Sequence, residues 1–324
     1  MTIGTAGSES ATERADLERL FLAMARIRSF EDAVMRAFAS GEIRGTTHLC
    51  SGQEASAVGI CEALGPNDAV AATYRGHGAA LALGCEPEAL FAEFLGREGG
   101  ICGGRGGSMN VIDLENRLLG CFGIVGGSIG AATGAALAAE LTGDGTVAAA
   151  FFGDGAVNQA YFHECLNFAG VRRLPIVYAC ENNLYGEWTH MSHVTAGGGL
   201  GSRAEAYGIP SEVVDGNDVL AVRAAALAAV ARARAGEGAT FLELLTYRHH
   251  GHSRSDPGKY RPSEEVDEWK TRDPLPRLAI ALDDEKAADL SARAEREMGT
   301  ALDQARARPA CDPRTRATAA KEAV

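Results

Sequence analysis

No stretch of 18 consecutive apolar residues occurs in the sequence, so nothing in it reads as a membrane-crossing helix. Its first 15 residues are polar and lack the basic-then-apolar pattern of a secretory signal. Positive charge is in deficit: 31 Lys and Arg face 43 Asp and Glu, a formal net charge of −12. Binding a nucleic-acid backbone is therefore not expected to be its main task. No two of its eight cysteines (50, 61, 85, 102, 121, 165, 180 and 311) are spaced as CxxC, which removes a zinc ribbon and a thioredoxin-type motif. Cys61, Cys165 and Cys180 lie in apolar runs, the usual setting of a buried free thiol. These absences point to a reduced, cytoplasmic protein. Internal repeats and a clear linker are also missing. The expected division is a flexible tail at 1–14, one α/β domain over 15–308 with a helical C-terminal part, and a second tail at 309–324.

What the sequence does carry is concentrated between Phe151 and Tyr185. Val147 to Phe152 is an apolar run of the kind that forms a buried strand. Gly153-Asp154-Gly155 stops it with residues that tolerate a tight turn. Asn158-Gln159 is placed to cap a helix carrying Phe162, Leu166 and Phe168 inward. After Pro175, Ile176 to Ala179 forms a second buried strand, closed by Asn182-Asn183. This β–α–β unit predicts a doubly wound, mostly parallel sheet with helices on both faces. Both polar clusters then fall at the carboxyl ends of neighbouring strands, where open α/β sheets bind ligands.

Asp154 offers a carboxylate, Asn183 an amide oxygen, and the backbone just beyond a carbonyl. Hard oxygen ligands with room for water and phosphate suit magnesium and not zinc or iron. A Gly-Asp-Gly turn alone is a weak signal. Gly143-Asp144-Gly145 is the internal control, for it has no Asn-Asn at the matching distance and reads as a loop. After Gly155 the asparagine pair follows the 26 residues 156–181.

Other strand ends add cationic and imidazole groups. Leu17, Leu20, Phe21, Met24, Ile27, Phe30, Val34 and Phe38 recur at helical spacing, and Ser40-Gly41 ends that helix. A polar loop with His48 follows. Ala69 to Thr73 reads as a short strand ending in Tyr74-Arg75, and Phe241 to Thr246 as another ending in Arg248 to His252. Arg75 and Arg248 are candidate diphosphate clamps, since guanidinium donates in a planar fork. Either one alone would read as a surface salt bridge. His252 and His48 are candidate acid–base or polarising groups. His190 and His193 lack a third metal ligand at a usual spacing. Gly123 to Gly127 leads into a small-residue helix whose Gly130, Gly134 and Ala138 suit close packing. No strand is expected directly before Gly123, which argues against a dinucleotide phosphate loop there.

The spacing of Gly-Asp-Gly and Asn-Asn resembles the thiamine-diphosphate motif. Five further motifs agree in order: His-Leu-Cys-Ser-Gly-Gln-Glu (48–54), Tyr-Arg-Gly-His-Gly (74–78), Gly-Gly-Arg-Gly-Gly-Ser-Met (103–109), Gly-Ile-Val-Gly (123–126) and His-Gly-His-Ser (250–253). Over about residues 15–280 the chain resembles the alpha subunit of the thiamine-diphosphate-dependent first component of 2-oxo acid dehydrogenase complexes. Residues 123–130 and 181–190 look more like the acetoin-cleaving branch than the pyruvate-specific one. The resemblance implies that Asp154, Asn183 and the Tyr185 carbonyl hold Mg2+, with Gly153 and Gly155 among the cofactor-binding residues. It implies that Tyr74, Arg75 and Arg248 hold the diphosphate and that the Gly123 and Val125 backbones hold the aminopyrimidine. It places His252 at the reacting carbon, with His48 near it.

It also implies partners: a beta subunit that completes an α2β2 heterotetramer and supplies the activating glutamate, and a lipoyl-bearing acyltransferase that accepts the acyl unit from a small carbonyl substrate. Asn110 stands where the family has histidine, and Phe122 where it has asparagine. Ser253 and Ser255, at the positions phosphorylated in mitochondrial relatives, read here as loop residues. Alternatives are a pyruvate or branched-chain 2-oxo acid dehydrogenase, a thiamine-dependent carboligase with no lipoyl partner, a nucleotide-binding module and a non-catalytic scaffold.

Overall fold

The computed structural model describes residues 6–312. Eight strands and eleven α-helices are assigned there: α1 (Ala6–Ala39), α2 (Glu54–Glu62), β1 (Ala69–Thr73), α3 (His77–Ala82), α4 (Pro87–Phe94), β2 (Leu118–Phe122), α5 (Gly127–Thr142), β3 (Ala148–Gly153), α6 (Ala160–Arg172), β4 (Ile176–Asn182), β5 (Tyr185–Gly186), β6 (Thr189–His190), α7 (Leu200–Glu205), β7 (Ser211–Asp215), α8 (Val219–Arg234), β8 (Thr240–Leu245), α9 (Ser263–Lys270), α10 (Pro274–Ala279) and α11 (Asp284–Ala307). Six strands form one sheet in the order β2-β1-β3-β4-β8-β7, and every pair in it is parallel. The expected doubly wound α/β architecture is what the chain adopts.

Alternation along the strands divides the core into two layers, because successive side chains leave opposite faces of a strand. Val70, Ala72, Ala149, Phe151, Val177, Ala179, Leu242 and Leu244 pack on one side with Val222, Ala226 and Val230 of α8. Ala71, Ala148, Ala150, Phe152, Tyr178, Cys180 and Phe241 pack on the other with Ile129 and Ala132 of α5 and Phe162 and Leu166 of α6. A third cluster joins Leu20, Met24 and Ile27 of α1 to Leu290 and Ala294 of α11.

The structure departs from six expectations. α1 begins at Ala6 and not after residue 14, so part of the expected N-terminal tail is helical. Its polar early turns are tied down by Arg14, which pairs with Asp283 and Glu18. Residues 309–312 are held as well: the Glu98 N–H donates to the Pro309 carbonyl at 2.9 Å and the Cys311 N–H to the Gly96 carbonyl at 3.0 Å. The outer parts of both expected tails, 1–5 and 313–324, lie outside the described residues.

A strand does precede Gly123. β2 pairs with β1 and runs straight into that turn, although Gly120 interrupts its apolar pattern. On α6, Phe168 is 40% exposed while Phe162 and Leu166 are fully buried. That helix starts at Ala160, and Gln159 occupies its N-cap without a side-chain hydrogen bond. The expected close approach at Gly130 and Gly134 has no counterpart among the described residues, since a Cβ added at either would meet nothing within 4 Å.

Candidate active site

The carboxyl ends of β1 to β4 open into one cavity of about 740 Å³. It is lined by His48, Tyr74, Arg75, Gly123, Val125, Gly153, Asp154, Gly155, Asn183, Tyr185 and His252. Arg248 alone of the expected site residues is not on its surface.

Register explains the meeting of Asp154 and Asn183. β3 and β4 are adjacent, with Gly153 opposite Glu181, so the chain leaves both strands at the same height. Asp154 opens a single 3₁₀ turn, Asp154–Asn158, and is 2% exposed. Its Oδ2 is buried with no partner. Burial pushes its carboxyl up to about 6, opposed by Arg248 and by the backbone N–H groups of Asp154 and Asn183. Glycine at 155 lets β5 lie against this turn, for a Cβ there would stand 3.2 Å from the Gly186 Cα.

The two asparagines have separate tasks. Asn182 donates to Glu243 Oε1 at 2.7 Å, and its own Oδ1 accepts the Leu184 N–H at 3.1 Å. That bond supports Leu184 at φ +70°, a left-handed conformation unusual for a branched side chain. Asn183 donates its amide N–H to Gln53 Oε1 at 3.2 Å, so its oxygen remains for other partners besides the Tyr185 N–H at 3.4 Å.

Arg248 lies behind the cavity wall, 1% exposed, with one nitrogen donating to the Glu187 carbonyl at 3.0 Å. Its Nε and Nη1 are buried without partners. Burial and the nearby Arg75 lower it to about 10. Buried donors without acceptors are costly, about 1–3 kcal/mol each or more when charged, so this corner is built for an anion.

Arg75 lines the cavity and also braces its wall. Its Nη1 donates to the Leu49 carbonyl at 2.5 Å and its Nη2 to the His252 carbonyl at 2.8 Å. It thus ties together the two loops that carry His48 and His252. Those imidazoles and Tyr74 form a compact ring cluster, with centroids 4.4 Å apart for His48–Tyr74, 4.9 Å for His48–His252 and 5.8 Å for Tyr74–His252. Burial, reinforced by Arg75, pushes His48 down to about 2 and His252 to about 4. Both are neutral near pH 7 and able to give or take a hydrogen bond.

Two residues escaped the sequence reading. Glu181 lines the cavity, and burial raises it to about 7 against the nearby Gln53 side chain and the charge of Arg75. A carboxylate at the end of an otherwise apolar strand was the available signal. Gln53, fully buried, accepts from Asn183, and its Nε2 is left without a partner; its position at the edge of the 48–54 motif was the only hint. Among the described residues no group of three or more His, Cys, Asp or Glu gathers as a metal cluster. His190 ends β6 and His193 lies in the short turn after it, with ring centroids 6.1 Å apart.

An oxygen-donor pair at adjacent strand ends, beside an anion-seeking arginine, defines an α/β protein of the thiamine-diphosphate-binding fold. The dehydrogenase E1 component family matches residues 22–312, and the chain belongs to it. It is 43% identical over 246 residues to the alpha subunit of acetoin:2,6-dichlorophenolindophenol oxidoreductase from Bacillus subtilis, covering 76% of this chain and 74% of that protein. The corresponding subunit from Cupriavidus necator is 40% identical over 266 residues, covering 81% and 80%. The pyruvate dehydrogenase E1 alpha subunit of Zymomonas mobilis is 41% identical over 268 residues, covering 82% and 76%.

Proposed function

We propose that the chain is the alpha subunit of a thiamine-diphosphate-dependent acetoin or related acyloin dehydrogenase, with Mg2+ as its metal. The observation that carries this reading is the pairing, in one corner, of an unpartnered buried carboxylate oxygen on Asp154 with two unpartnered buried nitrogens on Arg248. A divalent ion would satisfy the first and a diphosphate would satisfy the second. Asp154, the Asn183 amide oxygen and the Tyr185 carbonyl would hold the metal. Arg248 and Tyr74 would hold the diphosphate, joined by whatever donor capacity Arg75 retains. The backbones at Gly123 and Val125 would receive the aminopyrimidine. Thiamine diphosphate supplies, when bound, a carbanion that adds to a carbonyl and then acts as an electron sink. His252 and His48, neutral and adjacent, would hydrogen-bond the substrate oxygen and pass its proton.

Other features support a beta subunit that closes the cavity and brings the activating glutamate. Ile124 is 70% exposed, Val125 43%, Tyr161 48% and Val194 49%, an apolar rim unsuited to water. The open face at Gly130 and Gly134 fits close approach by another subunit. Transfer of the acyl unit to a lipoyl acyltransferase completes the reading. No described helix is long and apolar enough to cross a membrane, and eight free thiols accord with a cytoplasmic setting. A pyruvate or branched-chain 2-oxo acid dehydrogenase is the second reading, favoured by the 41% identity to the pyruvate subunit against 43% to the acetoin one.

The test is co-expression with the beta subunit and assay of acetoin, pyruvate and branched 2-oxo acids with an artificial electron acceptor, with and without Mg2+ and thiamine diphosphate. The reading expects cofactor-dependent turnover, fastest with acetoin, and none from the single chain. Substantial turnover by the single chain would refute the half-site assignment.

A further inference from the structure

Behind the cavity wall that carries His48, Tyr74 and Arg75 lies a polar cluster closed to solvent. Glu31 of α1 is 0% exposed, His77 1%, Cys50 2% and Ser108 5%. The Glu31 carboxylate accepts the Cys50 N–H at 2.9 Å and the Cys50 S–H at 2.9 Å. His77 Nδ1 stands 3.0 and 3.1 Å from its two oxygens. His77 Nε2 is 3.1 Å from the Ser108 carbonyl. A carbonyl has no proton to give, so Nε2 carries the hydrogen, and Nδ1 and Glu31 share the other proton. Burial opposes ionisation of Glu31, but His77 and the Cys50 donors outweigh it and hold the carboxyl below its usual range. Burial and the Glu31 charge push the Cys50 thiol far up, so it stays an S–H donor.

The cluster joins segments that are remote in sequence. Cys50 is two residues from His48, and His77 two residues from Arg75. Ser108 adjoins Met109, which lines the cavity. Ser108 Oγ also reaches the Thr46 carbonyl at 3.3 Å. The Ser108 loop is itself fixed from below: Glu93 accepts the N–H groups of Cys102 (2.7 Å), Gly104 (2.7 Å), Gly106 (2.5 Å) and Gly107 (3.2 Å). Phe94 closes over the imidazole, with ring centroids 4.8 Å apart.

We infer that Glu31 and His77 are positioning residues, a buried clamp that fixes the His48 loop and the Met109 loop against the cavity through hydrogen bonds. Neither side chain lines the cavity. Glu31 sets where Cys50, and hence His48, stands. His77 passes that constraint to Ser108, and hence to the wall that faces Gly123, where a Cβ would meet the Met109 methyl at 3.4 Å. A buried polar network of this kind fixes one arrangement because each broken member leaves a desolvated group.

The inference rests on the proposed function only for its kinetic readouts. His77→Asn keeps a donor toward Glu31 and loses Ser108; His77→Gln keeps a donor toward Ser108 and loses Glu31. In the assembly with the beta subunit, His77→Asn is expected to raise the cofactor Kd about tenfold with kcat little changed. His77→Gln is expected to lower kcat about tenfold with Kd little changed. Hydrogen exchange on the chain itself should show faster amides at 103–110 in the first variant and at 46–52 in the second. Glu31→Gln, which offers a donor to Nδ1 and an acceptor to Cys50, should fold and keep kcat within about threefold.

A lowered melting temperature with kcat, Kd and local exchange unchanged in both His77 variants would overturn the clamp. So would a large kcat loss in a well-folded Glu31→Gln, which serves as the deciding variant if the His77 variants fail to assemble. An inactive wild-type assembly would count against the dehydrogenase reading instead, leaving the exchange data to decide the clamp.

Discussion

Two copies of Gly-Asp-Gly flank β3, and they behave as opposites. Asp144, before the strand, is exposed; its carboxylate accepts the Thr146 N–H at 2.8 Å and the Thr142 hydroxyl at 2.9 Å. The Thr146 backbone N–H and the two threonine side chains hold its carboxyl below the usual range. Asp154, after the strand, is buried with one oxygen unpartnered and is pushed up to about 6. The tripeptide is the same; what differs is the end of the strand. The amino end gives a solvated turn whose acid is content locally. The carboxyl end, beside β4, gives an acid in a corner where only a cation or a proton satisfies it.

Replacing each aspartate breaks the comparison most sharply. Asp154→Asn is expected to abolish turnover, beyond the about 100-fold cost of losing an outer-shell partner of a metal ligand. It should not destabilise the chain at neutral pH. The Asp154 pKa is raised on folding, so protonation stabilises the folded state below the unfolded value, and that stability is lost as pH rises through about 6. Thermal melts from pH 4 to 8 should therefore show wild type losing ground to Asp154→Asn as pH rises.

His252→Gln tests the chemistry beside the metal corner. The expected loss is about 100-fold in kcat, the lower range for an acid–base group, with cofactor Kd unchanged. Its folded pKa lies below the ordinary histidine value, so on acidification from about 6.5 to about 4 the unfolded state takes the proton first. Wild type should lose stability relative to this variant over that window, read from the same melts. Arg248→Gln should weaken cofactor binding by about 2 kcal/mol, roughly 30-fold in Kd, measured by calorimetry. Asp144→Asn, the smallest effect, should leave turnover and cofactor affinity unchanged.

How much of this could be read beforehand depended on how local each cause is. β3, β4 and the spacing of Asp154 to Asn183 were legible because the strands are short apolar runs punctuated by turn residues. β2 was not, since Gly120 breaks its pattern and its pairing with β1 is a tertiary fact. The helical start at residues 6–14 is polar and its Arg14 meets Asp283, far along the chain, a contact no local pattern announces. Arg75 was expected among phosphates from its residue type, yet the carbonyls it binds belong to loops at Leu49 and His252. The Glu31–His77 contact joins a helix that reads only as amphipathic to a motif that reads only as cofactor-binding. Burial of polar groups, the largest cause of the shifts at Asp154, Glu181, His48, His252 and Arg248, has no signature in local sequence.

Calorimetry of thiamine diphosphate binding to the assembly with the beta subunit, with and without Mg2+, tests the central claim most directly. Wild type and Asp144→Asn should bind with the same Mg2+-dependent Kd, and Asp154→Asn should show no Mg2+-dependent binding. Equal, Mg2+-dependent affinity in the Asp154 variant would contradict the account.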